Sequence, residues 1–199
     1  MLTTKRVFDV AVACVALIPG LPIMGIVAAA ILLENPGPVL FRQQREGMGG
    51  RVFRVYKFRS MVVDAERGGP VLSMADPRVT RVGRFIRRTS LDELPQLFNV
   101  LAGDMSLVGP RPLLPGTTRP TERRRLAVRP GMTGLVEIRD PHRLSWDERM
   151  QVDIEYVERW SLRLDVVILV RTIGILLTRK DVLDTPRPDE GDATSREPA

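Results

Sequence analysis

The sequence predicts an α+β fold, mostly helical, carried on an apolar N-terminal anchor, and three observations lead there. An almost purely apolar stretch runs from Val10 to Leu33 behind Lys5-Arg6. Two short β-rich runs, Val39-Leu40-Phe41 and Val52 to Phe58, flank a Gly47-Met48-Gly49-Gly50 turn, the pattern of a β-hairpin. Helical signals follow: Arg78, Arg81, Arg84 and Arg87 recur every third residue among Val79, Val82, Phe85 and Ile86, and an apolar run with few charges spans Leu162 to Leu177. With 199 residues and 44% hydrophobic content, the chain can build one cored domain and an appendage, not two full domains. The expected division is an anchor over 1–36, a soluble domain over 37–180 and a disordered tail over 181–199, where Pro, Asp, Glu and Ser dominate.

The anchor admits three readings. A signal peptide is disfavoured, because the apolar run is long and is interrupted by Pro19-Gly20 and Pro22. A kinked spanning helix would separate Lys5 and Arg6 from Arg42, Arg45, Arg51, Arg54 and Lys57, against the tendency of basic flanks to share one side. A re-entrant hairpin, with arms Val10 to Ile18 and Ile23 to Leu33 meeting at Pro19 and Pro22, keeps both flanks together. Each arm would reach only about 14 to 17 Å, roughly half the hydrocarbon layer. On residues alone the hairpin and the kinked span stand level. Asn35-Pro36-Gly37-Pro38 then ends the stretch as a turn.

The net charge is +6 and the pI about 10.3, and all but Lys5, Lys57 and Lys180 of the 30 basic residues are arginine. A planar guanidinium fork suits phosphate, whether in nucleic acid, lipid headgroups or a phosphorylated substrate. No helix-turn-helix, zinc or zipper pattern surrounds the arginine run, so nucleic acid is not the expected partner, and an anionic lipid membrane is. Cys14 stands alone, which excludes an internal disulfide, and neither it nor His142 has neighbours at zinc-ligand spacing. Any metal must be held by oxygen. Residues 64–77, with Gly68-Gly69-Pro70, read as a loop.

Between the arginine run and a rigid Gly109-Pro110-Arg111-Pro112 turn lie two adjacent carboxylates, Asp92 and Glu93. Ser90 followed by Glu93 has the form of a capping box, which would set both in the first turn of a helix at its positive end. Pro95 removes one backbone donor there and predicts an irregular turn. Arg111, held between two prolines, suits a phosphate clamp, with a structural ion pair as its rival reading. Arg129-Pro130-Gly131-Met132-Thr133-Gly134 is a second stiff turn with backbone donors for phosphate.

Five strings taken together resemble the bacterial sugar transferase family, the small monotopic phosphoglycosyl transferases. They are Lys5-Arg6-Val7-Phe8-Asp9, Tyr56-Lys57-Phe58-Arg59-Ser60-Met61, Leu91-Asp92-Glu93-Leu94-Pro95-Gln96-Leu97-Phe98-Asn99-Val100, Gly103 to Pro112, and Val128 to Gly134. They stand in the family's order and spacing, the resemblance runs from about residue 5 to 180, and the match in length implies the minimal catalytic form. The resemblance implies a monotopic enzyme on the cytoplasmic face of the bacterial inner membrane. It would move a sugar-1-phosphate from a UDP-sugar donor to a polyprenyl phosphate acceptor such as undecaprenyl phosphate, releasing UMP and starting a glycan. It also implies Asp92 as nucleophile through a phosphosugar-enzyme intermediate, and Glu93 and Mg²⁺ in the same site, with both carboxylates as metal ligands. Lys57, Arg59, Arg87, Arg88, Arg111, Arg129 and Arg143 are the candidate substrate-binding cations. The resemblance favours the re-entrant topology: Pro22 matches the proline of the relatives' Ser-Pro break, while Leu21 replaces the serine. A homo-oligomer stays open, as does the identity of the sugar.

The chain departs from the family after Gly134. Where relatives continue with a neutral amide and an arginine, Leu135-Val136-Glu137-Ile138-Arg139-Asp140-Pro141 supplies Glu137 and leaves Pro141 in the arginine's place, with Arg139 or Arg143 as substitutes. A non-catalytic basic membrane scaffold of a glycan pathway is the alternative these departures leave alive. Trp146, Asp153, Tyr156 and Asp165 read as packing, caps and anchors, and Leu162 to Leu177 as an amphipathic helix on the membrane surface or against the core.

Overall fold

In the computed structural model, described over residues 2–65, 76–139 and 144–178, helices dominate and two small two-stranded sheets sit among them. Helix α1 (Leu2–Glu34) leads into an antiparallel hairpin of β1 (Leu40–Glu46) and β2 (Val52–Phe58), in register from Leu40 opposite Phe58 to Glu46 opposite Val52. The hairpin is thus where the sequence placed it. Its first strand runs longer than Val39-Leu40-Phe41, because Gln43 to Glu46 complete the ladder against Val52 to Val55. Most of the 64–77 loop, and all of the 181–199 tail, lie outside the described residues.

Helix α1 runs without interruption through Pro19 and Pro22, so the two prolines lie inside one helix and not in a gap between two. At 1.5 Å per residue its 33 residues would reach about 50 Å if straight. Lys5, Asp9, Ala13, Leu17, Met24, Val27 and Ile31 form its buried stripe, while Val15, Ile18, Ile26 and Leu33 are exposed. Both ends are tied to the rest of the molecule. At the start, Lys5 donates to Asp165 at 2.6 Å, and Arg6 donates to the carbonyls of Val100 and Leu101. Asp9 accepts from the backbone of Leu107. At the finish, Glu34 accepts from the amides of Arg81 (2.7 Å) and Val82 (2.9 Å), and Asn35 gives its carbonyl to Arg59.

Glu34 therefore caps the next helix, α2 (Arg81–Arg88), whose own cap Thr80 accepts from Gly83. Arg78, expected to open the basic stripe, lies before this helix and folds onto Asp76. Helix α2 packs backbone against backbone on the end of β2: a Cβ on Gly83 would come within 1.9 Å of the Ser60 carbonyl oxygen. Gly83→Ala would raise helix propensity by about 1 kcal/mol at an open position. Here the collision with rigid backbone outweighs that gain, and a net loss of at least about 2 kcal/mol is expected, read as a lower melting temperature in detergent.

After the site-bearing turn come α3 (Gln96–Ala102) and a parallel pair, β3 (Ser106–Val108) and β4 (Gly131–Thr133). A crossover with a 3-10 helix, Pro120–Ala127, joins them, and α4 (Trp146–Arg159) and α5 (Leu162–Thr178) complete the fold. One apolar core holds Ala13 and Leu17 of α1 with Val55 and Phe58 of β2, Val100 of α3, Val108 of β3, Tyr156 of α4 and Ile168 of α5. Helix α4 starts with a true capping box, Ser145 with Glu148.

Candidate active site

The carboxylate pair sits on a 3-10 turn, Leu91–Glu93, between α2 and α3. The expected capping box is corrected here. Ser90 takes a left-handed conformation (φ 56°) and its side chain caps nothing; the turn closes through Glu93 N–H to the Ser90 carbonyl at 3.2 Å. A helix from Ser90 would need the Pro95 amide in its ladder. The chain instead makes a short 3-10 turn and restarts at Gln96, with Pro95 as the cap, so the turn is irregular as Pro95 predicted. A left-handed non-glycine residue costs about 1–3 kcal/mol, and the surrounding contacts must hold it there.

Those contacts are visible. Asn99, fully buried on α3, accepts from the Tyr56 amide at 3.0 Å and donates to the Arg54 carbonyl at 2.7 Å, bolting α3 to the edge of β2. One residue beyond Tyr56 on β2, Lys57 donates to Glu93 at 2.8 Å, both side chains about a quarter exposed. Arg87 donates from Nε to Ser60 Oγ at 2.8 Å. Lys57, Glu93 and Asp92 thus share one half-buried corner, with Arg87 fixed onto the segment that continues β2.

The other candidates are distributed differently. Arg59, a candidate substrate-binding cation, is only 8% exposed: it spends one guanidinium nitrogen on the Asn35 carbonyl, and its buried Nη1 has no hydrogen-bond partner among the described residues. Its place is at the foot of α1. Arg88 is exposed on α2, and Arg129 donates to the Gly103 carbonyl at 2.7 Å. Arg111 lies 3.9 Å from Glu137, the acidic residue that departs from the family pattern. Arg143 and Pro141 lie outside the described residues, and Arg139 is paired with Glu155 on α4.

Arg111 stands on a platform made by two interlocked loops. Gly109 N–H donates to Thr133 and Gly131 N–H to Pro110, at 2.9 and 3.0 Å. A Cβ on Gly131 would fall 2.1 Å from the Gly109 nitrogen, and one on Gly134 2.4 Å from the Gly109 oxygen. Buried polar groups grip the carbonyls on either side: Tyr156 donates to Val108 at 3.0 Å, and Arg125, paired with Asp153 at 2.7 Å, donates to Arg111. Tyr156 also donates to Asp165, which holds Lys5 and accepts from Trp160. Burial among these groups, with Asp165 beside it, pushes the Tyr156 hydroxyl far above its ordinary range, so it remains a donor. Sequence reasoning saw Asp153, Tyr156 and Asp165 only as packing and missed this framework. Partners up to 160 residues apart leave no local signal.

On the opposite side of α4, hydrogen bonds from Arg139 and Arg159 hold the Glu155 carboxyl down at about 2. Its folded-state value lies below the ordinary 4.5, so its contribution is present above that value and is lost as pH falls from there toward 2. Glu155→Gln is expected to flatten that part of the stability–pH curve, while costing no more than about 1 kcal/mol at neutral pH because the arginines are well exposed.

The fold is thus an α+β one that carries an apolar helix 33 residues long and a half-buried carboxylate pair, with Lys57 bound to Glu93. The chain belongs to the bacterial sugar transferase family, whose model matches residues 1–179. It is 44% identical to the UDP-glucose:undecaprenyl-phosphate glucose-1-phosphate transferase of Caulobacter vibrioides, over 87% of this chain and 70% of the relative. It is 41% identical to the protein of the same description from Xanthomonas campestris pv. campestris, over 88% of this chain and 39% of that one. A third relative is the undecaprenyl-phosphate galactose phosphotransferase of Salmonella typhimurium, 40% identical over 88% of this chain and 40% of that one. The chain spans about two-fifths of the length of the Xanthomonas and Salmonella proteins.

Proposed function

We propose that this chain transfers a sugar-1-phosphate from a UDP-sugar to undecaprenyl phosphate, with Asp92 as nucleophile. The observation that carries the reading is the corner where Asp92 and Glu93 share one tight turn and Lys57 pairs with Glu93, in a chain of this family. The Asp92 carboxylate attacks the sugar-bearing phosphorus and forms an O–P bond, while the bridging P–O bond breaks and UMP leaves. A phosphate oxygen of the lipid then attacks the same phosphorus, and Asp92 departs as the carboxylate. Lys57, held on Glu93, sets a positive charge beside the reacting carboxylate, and Arg111 on its rigid platform is the fork for a donor phosphate.

Among the described residues no three His, Cys, Asp or Glu side chains gather as a protein-only metal cage. An adjacent pair of carboxylates instead fits Mg²⁺, which binds through one or two carboxylates together with substrate phosphates. Asp92 and Glu93 would hold it, and it would offset charge on the diphosphate.

The same reading places the enzyme on one face of the inner membrane, the cytoplasmic face, where UDP-sugars are made. Support for a re-entrant α1 comes from its two ends. Lys5, Arg6 and Asp9 at one end, and Glu34 and Asn35 at the other, bond to residues of the same soluble body. A helix crossing the bilayer would deliver its ends to opposite sides.

The test is UMP release by the purified chain in nanodiscs, with undecaprenyl phosphate, Mg²⁺ and a panel of UDP-sugars. Release confined to one donor and dependent on the lipid is expected. A folded, membrane-bound chain that releases nothing with any donor would leave the non-catalytic scaffold as the better account.

A further inference from the structure

A cleft of about 300 Å³ opens where α4 gives way to α5, on the far side of α4 from the Arg125–Asp153 pair. That volume is at the low end for a small-molecule site. Its lining joins the apolar Leu135, Leu164 and Val167 with the cationic Arg139, Arg159 and Arg163. Glu155 accepts from Arg139 (2.9 Å) and from Arg159 (2.9 Å), so one carboxylate is shared by two guanidiniums. Arg163 is exposed and has no ion-pair partner among the described residues. Among the described residues that line the cleft, three positive charges against one negative leave an excess of two, at the N-terminal end of α5, where the helix dipole adds positive potential.

What lies beyond the cleft identifies the occupant. Arg163, Val166, Val170, Ile173 and Leu177 follow each other at three- and four-residue steps, with Val167 four residues after Arg163, and so fall on one face of α5. The valines, Ile173 and Leu177 are all exposed, Val170 by 64% and Leu177 by 82%. An apolar ridge thus begins at a cationic cleft and runs away from it. Free nucleotide or phosphate would use the cations and have no use for the ridge. A lipid uses both, its phosphate in the cleft and its acyl chain along the valines.

We propose that the Arg139–Arg159–Arg163 cleft is a seat for the phosphate of an anionic membrane phospholipid, separate from the Asp92 corner, which holds α5 at a fixed depth in the interface. This rests on the membrane attachment proposed above, and not on the transferase reading. The cleft adds a stoichiometric site to the diffuse attraction of a basic surface for anionic lipid.

The experiment uses the full chain in nanodiscs of mixed phosphatidylcholine and phosphatidylglycerol, with a spin label on one lipid or the other, and reads the motionally restricted fraction of each. The intact chain is expected to restrict phosphatidylglycerol preferentially. Arg159→Gln/Arg163→Gln is expected to reduce that preference by about fivefold per arginine, toward none. Arg51→Gln/Arg123→Gln, an equal charge change at exposed positions outside the cleft, is expected to leave it nearly intact. Equal losses from both pairs would reduce the effect to bulk electrostatics and overturn the site. Full release of the labelled lipid by excess inorganic phosphate or UMP would show a soluble phosphate site and overturn it too. A chain that leaves the nanodisc sinks the membrane reading and this one together; a chain that stays but shows no lipid preference sinks this one alone.

Discussion

Replacing Asp92 by Asn is expected to lower UMP release by at least about 10³-fold while leaving the melting temperature within about 2 °C of the parent. The two halves of that expectation have different sources. An amide is isosteric with the carboxylate, so the 3-10 turn that Ser90 and Pro95 set up has no steric reason to change. What disappears is the oxygen anion able to form a bond to phosphorus. A donor labelled in its sugar should leave label on the intact protein when the acceptor lipid is withheld, and none on Asp92→Asn. Label that stayed on the variant would move the nucleophile to another side chain. Glu93→Gln separates a further role: it frees Lys57 without removing the proposed nucleophile, so labelling should be slowed and not lost.

The second large effect is expected from Arg125→Met, which should cost about 3–5 kcal/mol of stability. Arg125 and Asp153 are 1% and 3% exposed, and removing the guanidinium would strand a carboxylate in the interior. Burial pushes the Asp153 carboxyl up while Arg125 draws it down. Burial already outweighs the arginine; with Arg125 gone the carboxyl is pushed up further, the folded state binds the proton still more tightly than the unfolded chain, and stability falls more steeply as pH rises above the ordinary carboxylate range. The loss should therefore be smaller in mild acid than at neutral pH. Arg125→Met/Asp153→Leu removes both charges and should recover most of the stability, since a buried pair gives little over well-packed apolar residues. It should not recover full activity, because the Arg111 carbonyl still lacks its donor. Thermal unfolding and UMP release on the same three proteins would show whether the pair acts on the Arg111 loop or only on the fold. Activity restored along with stability would leave the pair a purely structural role.

These residues also mark what a sequence can and cannot convey. The β1–β2 hairpin was legible because its apolar and aromatic residues fall on either side of a glycine-rich turn. The place of the carboxylate pair on a turn was legible, but the geometry of that turn was not. Ser90 and Glu93 carry the letters of a capping box, and only Pro95, competing for the same ladder, decides for a left-handed residue and a 3-10 turn. Strands β3 and β4, three residues each, are too short for any periodicity to show, so their pairing of two proline-rich motifs was invisible. Lys5 read as a basic flank because its partner Asp165 is 160 residues away. Arg59 read as a substrate-binding cation, and nothing at the strand end signals its burial. Burial there is set by the end of α1 folding over it.

The contact of Gly109 with Gly131 and Gly134 bears on how such a chain can change over evolutionary time. Two motifs twenty residues apart are sterically one object, each occupying the volume where the other's first side-chain carbon would go. Neither can accept a larger residue unless its counterpart shifts by ångströms, so single-step paths through either are closed. Freedom to diversify is left to residues 137 to 139, just beyond the buried Leu135 and Val136, where the charged side chains pair at exposed or half-exposed positions, Arg111 with Glu137 and Arg139 with Glu155. Substitutions can enter there one at a time, while the glycine platform beneath stays frozen.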